Sequence, residues 1–210
     1  RIPIGPLIEV AAHKEVPIHK HSLWYYMGGI SLFFFIVQGV TGVLLLFHYQ
    51  PGLETAHASV LRIMTNVEFG WLMRSIHSWA ANLMVATIFI HMFSAYFMKA
   101  YRAPRDFTWY SGLMLLGLTL TFGFTGYLLP WDDMAYFATK IGVDITAGMP
   151  VIGGEIANIM RGGEQLGGLT IQRFFALHVV VLPAVFVGLL GFHLLLVQIH
   201  GNTIPENIEK

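Results

Sequence analysis

The chain has no cysteine. Disulfides, cysteine-built zinc ribbons, protein-bound iron–sulfur clusters and thioether-attached haem are therefore excluded from it. Charge is scarce as well. Asp, Glu, Lys and Arg make up 11% of the 210 residues, against 55% hydrophobic residues, where a soluble domain carries about 25% charged residues. The 12 basic and 12 acidic side chains cancel, so no net field favours nucleic acid or another polyanion as a partner. Residues 1–20 hold Glu9, Lys14, Glu15 and Lys20, which leaves no apolar stretch of the kind a secretory signal needs.

The few charges are also unevenly placed. Residues 21–53, 75–98, 107–131 and 174–205 contain none, and together these runs cover 114 of the 210 residues. A bilayer core takes about 20 apolar residues as a helix. The pattern predicts an all-α integral membrane four-helix bundle, residues 21–200, with spans A to D at 23–49, 71–98, 107–129 and 174–199. Residues 1–20 form an interfacial N-terminal segment in this reading, with a short helix near 8–14, and 201–210 a polar tail. The polar connection 131–170 carries short interfacial helices near 134–141 and 151–160.

Four spans place both termini on one side, together with the B–C loop. That side collects Arg1, Lys14, Lys20, Lys99, Arg102, Arg105 and Lys210; the other holds Arg62, Arg74, Lys140, Arg161 and Arg173. The basic excess predicts cytoplasmic termini.

What the spans do contain is histidine. His77 and His91 lie 14 residues apart in span B, and His178 and His193 lie 15 apart in span D. Fourteen residues rise about 21 Å and stop about 40° short of four full turns, so both span-B imidazoles leave from nearly one face, one near each membrane surface. Fifteen overshoot by about 60°. Pro183 sits in that interval, and a kink or a wide turn can absorb one extra residue. Spans B and D run parallel, so His77 meets His178 at one depth and His91 meets His193 at the other. An ionisable group inside a membrane is costly and by default functional. Two opposed imidazoles can hold a flat iron macrocycle between them, and two such pairs make two haems stacked across the bilayer. Spans A and C repeat the period: Gly28 and Gly42 are 14 apart, as are Gly112 and Gly126. Glycine lets a large ring approach the backbone. Either glycine pair alone would read as ordinary helix packing; the joint pattern points to a bis-haem bundle. Arg74 stands one turn before His77, placed to neutralise a haem propionate or to reach the headgroups. Lys99, Arg102 and Arg105 could serve the second haem or act only as topology determinants.

These residues carry a resemblance to the cytochrome b family, closer to its short, b6-like form. It runs through Tyr25 to Gly42 (YYMGGISLFFFIVQGVTG), Phe69 to His91, Thr108 to Trp131, the Pro-Val-Ile-Gly at 150–153 and Arg173 to His193. The Gly-Tyr-Leu-Leu-Pro-Trp at 126–131 and the four histidines are its most specific parts, and the 15-residue interval in span D matches the short form. The resemblance implies a subunit of a Rieske/cytochrome b quinol-oxidising complex, working in a proton-translocating quinone cycle. Quinol would be oxidised on the outer side, one electron leaving to an iron–sulfur protein and the other crossing inward. It implies that His77 and His178 bind the outer b-type haem, flanked by Gly42, Gly126 and Arg74. His91 and His193 would bind the inner haem, flanked by Gly28 and Gly112. Tyr136, Phe137 and Ala138 would line an outer quinol pocket. Implied partners are a three-span subunit completing that pocket, a Rieske iron–sulfur protein, a c-type cytochrome subunit and a second copy of the complex in a dimer, all within membrane lipid.

The chain departs from that pattern in places. Tyr26 stands where the short form has the cysteine that ties a third haem to span A, so no thioether-linked haem can form. Ser94 replaces an arginine three residues after His91. Gln198, Ile199 and His200 replace a basic pair, and His200 could touch an inner quinone. The Pro-Glu-Trp-Tyr motif of the family is absent and must come from a separate subunit, or the sequence is the first half of a longer chain. Other readings remain: a bis-haem anchor passing electrons from a dehydrogenase to quinone, a histidine-based ion transporter, and a purely structural assembly subunit.

Overall fold

The computed structural model describes residues 22–203; the interfacial segment expected at 1–20, with its short helix, and the tail beyond residue 203 lie outside it. A 3-10 turn, Ser22–Tyr26, leads into α1, Met27–Leu46. Then follow α2 (Thr55–Thr65), α3 (Gly70–Phe97), α4 (Asp106–Leu128), α5 (Asp133–Ala147), α6 (Gly153–Arg161) and α7 (Gly168–Ala176). A π turn, Leu177–Val181, joins α7 to α8, Leu182–His200. Four stretches are long and apolar enough to cross a membrane: Leu23–Leu46, Gly70–Phe97, Asp106–Leu128 and Gly168–His200. They are spans A to D. Span A stops three residues earlier than the expected end at 49, because residues 47 and 48 turn ahead of Pro51-Gly52. Span D starts earlier than expected, at the end of the polar connection.

The spans form two facing pairs. α1 packs on α3 along its length, and α4 packs on α8. The two histidine-bearing spans, B and D, do not pack backbone to backbone, and a slot runs between them. Its middle is closed by Met84, Leu115 and Phe186, with Phe34, Phe35, Ile88, Leu118, Phe122, Leu189 and Leu190 around them. Phe186 stacks on Phe35 at 4.4 Å between ring centres and meets Phe122 edge-on at 5.8 Å.

The first and last described residues meet at one end of the bundle. The Tyr25 hydroxyl donates to the Thr203 carbonyl at 2.5 Å, and Arg105 from the B–C loop donates to the carbonyls of Gly201 and Asn202 at 3.2 Å each. The opposite end carries the polar connections. α2, between spans A and B, is an additional helix there. Its first residues follow Pro51-Gly52, its Ala56, Ser59 and Ile63 are buried, and it packs on α3. Nearby, the half-buried Tyr49 phenol donates to the Leu129 carbonyl at 2.7 Å, and burial holds its pKa above the ordinary tyrosine range, so it stays a neutral donor. Span C ends at Leu128, and Trp131 then takes a left-handed backbone conformation, φ 49°. This turns the chain sharply into α5, which Asp132 caps by accepting from the Ala135 N–H at 2.8 Å. Helices do form where short ones were expected, at 134–141 and 151–160: they are α5 and α6, with α5 extending to Ala147.

Truncating Phe186, 3% exposed, to alanine should cost about 3–5 kcal/mol of packing. Trp79, 69% exposed, should tolerate alanine with little loss. Thermal unfolding of the detergent-solubilised protein measures the difference.

Candidate functional site: two opposed histidine pairs

Each of the four span histidines sits against a different glycine of the neighbouring span. A Cβ built on Gly42 would stand 3.3 Å from His77 Cε1, and one on Gly126 only 2.7 Å from His178 Cε1. At the other end, Gly28 would place its Cβ 3.0 Å from His91 Cε1, and Gly112 3.3 Å from His193 Cε1. The glycines thus make room for the imidazoles themselves, which adds to the reading that they make room for a macrocycle edge. Glycines elsewhere in the spans, such as Gly39, Gly117, Gly188 and Gly191, have no such neighbour.

A second feature went unread in the sequence. Thr41, Ser111 and Thr125 each stand immediately before one of these glycines. Thr41 Oγ1 lies 2.9 Å from His77 Nδ1, Ser111 Oγ 2.9 Å from His193 Nδ1, and Thr125 Oγ1 3.0 Å from His178 Nδ1. Each hydroxyl gives its one hydrogen to a backbone carbonyl of its own helix: Thr41 to Val37 at 2.6 Å, Ser111 to Thr108 at 2.9 Å, Thr125 to Thr121 at 2.9 Å. The hydroxyl oxygen is then an acceptor, so the imidazole Nδ1 carries the proton and donates. In a neutral ring that leaves Nε2 with a free lone pair, the state a metal ligand requires. A Ser-Gly or Thr-Gly step at the 14-residue period was the signal that could have revealed this.

The rings of His77 and His178 are 6.4 Å apart, centre to centre, with planes 72° from parallel. Two imidazoles on opposite sides of one metal, with bonds of about 2 Å each, have centres roughly 6 Å apart. His91 and His193 share an elongated cavity with Gly28, Gly112 and Met84, which opens past Ser94, Trp109 and Arg105 toward the end of the bundle where Thr203 lies. The π turn explains how span D keeps both its histidines in line. The Leu182 N–H bonds to the Leu177 carbonyl, five residues back, so this turn takes one residue more than an α-turn and absorbs the fifteenth residue of the interval.

The remaining predicted residues are less gathered. Arg74 points its guanidinium at Met64 Sδ of α2, 3.8 Å away. Tyr136 and Phe137 are exposed and meet edge-on at 5.6 Å, with Trp131 5.8 Å from Tyr136; with Ala138 they make an open aromatic shelf on α5.

Known proteins match this arrangement. The family model described as Cytochrome b/b6/petB matches residues 13–201. The chain belongs to the cytochrome b/b6 family. A cytochrome bc complex cytochrome b subunit of Chlorobaculum thiosulfatiphilum is 52% identical over 202 residues, covering 96% of this chain and 47% of that protein. Cytochrome b6 of Synechococcus sp. (strain JA-3-3Ab) is 40% identical over 205 residues, covering 98% of this chain and 95% of its own. A solved structure titled Hyperthermophilic respiratory Complex III superposes with a TM-score of 0.87 at 29% identity, over all of this chain and 56% of that one. The chain therefore spans about half the length of some relatives and nearly all of others. Membership makes it an integral membrane electron-transport protein of a b-type haem family.

Gly126→Ala should displace the His178 ring and lower bound b-type haem, measured by absorbance per protein, whereas Gly191→Ala should not. Deleting Val180 from the π turn should convert it to an α-turn and keep haem content; deleting Ala86 from span B, which has no wide turn, should lower it at least twofold.

Proposed function

We propose that this chain is the haem-carrying half of a quinol-oxidising Rieske/cytochrome b complex. The observation that carries the reading is the pair of opposed imidazoles at 6.4 Å, each with Nδ1 held by a hydroxyl and Nε2 left to bind iron. His77 and His178 would hold the outer haem; His91 and His193 would hold the inner one. The donor set fits: neutral nitrogens, opposed, cradled by glycine. When bound, the haems supply reversible one-electron chemistry at two depths of the membrane.

The chain's own residues shape that chemistry. Thr41, Ser111 and Thr125 fix ring orientation and tautomer. The apolar cluster of Met84, Leu115 and Phe186 lies between the two levels. Arg74 lies at the outer level, where turning from Met64 would bring its charge to a propionate. Arg105 lies at the mouth of the inner cavity and offers the same there. Tyr136, Phe137 and Ala138 would form one wall of the outer quinol pocket, with the opposite wall coming from spans beyond span D, either in a separate three-span subunit or in the rest of a longer chain. A Rieske protein, a c-type cytochrome subunit and a second copy of the complex complete the assembly. The basic excess of the B–C loop side puts the termini in the cytoplasm, with the inner pair on that side.

A histidine-based ion transporter is the reading of another class. Facing imidazoles in twos, three of the four already bonded at Nδ1, give too few oxygen or nitrogen ligands for a bare ion. A reduced-minus-oxidised spectrum with redox titration of the purified complex should reveal two b-type components with separate midpoints; a spectrum without haem would refute the proposal. His178→Ala should lose the outer component and keep the inner one. Retention of both would contradict the pairing.

A further inference from the structure

We infer that residue 27 sets the two haem levels apart in reduction potential, because it offers His91 no oxygen of the kind that accepts the Nδ1 proton of the other three histidines. The inference rests on the ligand reading above. Thr41-Gly42, Ser111-Gly112 and Thr125-Gly126 each pair a hydroxyl with the glycine that faces a histidine. At the fourth place the pair is Met27-Gly28. The His91 ring sits on Gly28 as the others sit on theirs, its Nδ1 3.4 Å from the built Cβ. Its Nδ1 is buried and has no hydrogen-bond partner among the described residues. None of the hydroxyls of Ser94, Ser31 and Thr87 reaches it: Ser94 turns to the His91 carbonyl at 2.8 Å, and Ser31 and Thr87 bond each other at 3.1 Å. A thioether in place of a hydroxyl is at best a weak acceptor.

The consequence is electronic. A bond from Nδ1–H to oxygen pushes density into the imidazole and makes it a more basic ligand. A more basic axial ligand favours ferric over ferrous iron, and the potential falls. The outer level has two such bonds, from His77 to Thr41 and from His178 to Thr125. The inner level has one, from His193 to Ser111. The missing bond raises the potential of the inner haem relative to the outer one.

Redox titration of both haems in the intact purified complex tests this. Met27→Thr supplies the missing acceptor. It should lower the inner midpoint, shifting the oxidised-to-reduced ratio of that haem about tenfold at fixed potential, or about 59 mV for one electron. The outer midpoint should stay in place. Met27→Val, the same shape without the hydroxyl, should leave both midpoints where they were. Resonance Raman of the Met27→Thr complex should show a stiffer iron–imidazole bond at the inner haem. The reverse variant, Thr41→Val, should raise the outer midpoint by a similar amount. Two haems with an inner midpoint indifferent to Met27→Thr would overturn the inference. If that variant does not assemble, an outer midpoint indifferent to Thr41→Val would do so. Absence of haem from the unaltered complex would instead overturn the ligand reading.

Discussion

A polar ring in hydrocarbon must have its hydrogen-bonding groups satisfied, because no water is there to do it. That constraint organises this bundle. Each imidazole needs space beside it and a partner for its proton, and the neighbouring span supplies both in two consecutive residues at three of the four positions. The helix that does not carry the histidine therefore decides how that histidine points. It also explains the pairing of the spans. A serves B and C serves D, so each histidine span leans on its servant and leaves its other face open to the slot. The apolar plug then holds the two pairs of spans together at mid-height, where no ligand would do so.

Much of this was legible in the residues alone. The absence of charge over four runs located the spans to within a few residues at most ends, because the membrane tolerates charge so poorly. The 14-residue period of histidine and glycine put the span histidines and their glycine neighbours on common faces, since helical geometry converts spacing into direction. The fifteenth residue of span D was readable as a demand for a kink or a wide turn, though not which of the two, nor where it would fall. The structure places it at His178, just ahead of Pro183.

The rest was hidden for physical reasons. α2 is short and polar on one side. It forms because three small or apolar residues, Ala56, Ser59 and Ile63, find a surface on α3, and that surface exists only in three dimensions. The hydroxyls before the glycines left only a faint signal, because serine and threonine are common in membrane helices, where they usually bond their own backbone; these do so too, and the geometry adds the second bond. The quinol wall was legible by resemblance alone. In the structure Tyr136 and Phe137 are exposed side chains of α5.

A widened turn and a proline are both irregularities in a helix. The first spoils the usual pairing of one peptide group; the second brings no N–H to pair at all. Scattered along a span, they would make two weak places in a rod that has no solvent to mend them. In span D they are adjacent. The damage is confined to a single cycle of the spiral, and the stretch from there to His200 stays regular. Surplus length and missing donor are thus settled at one joint, beside the residue whose aim matters most.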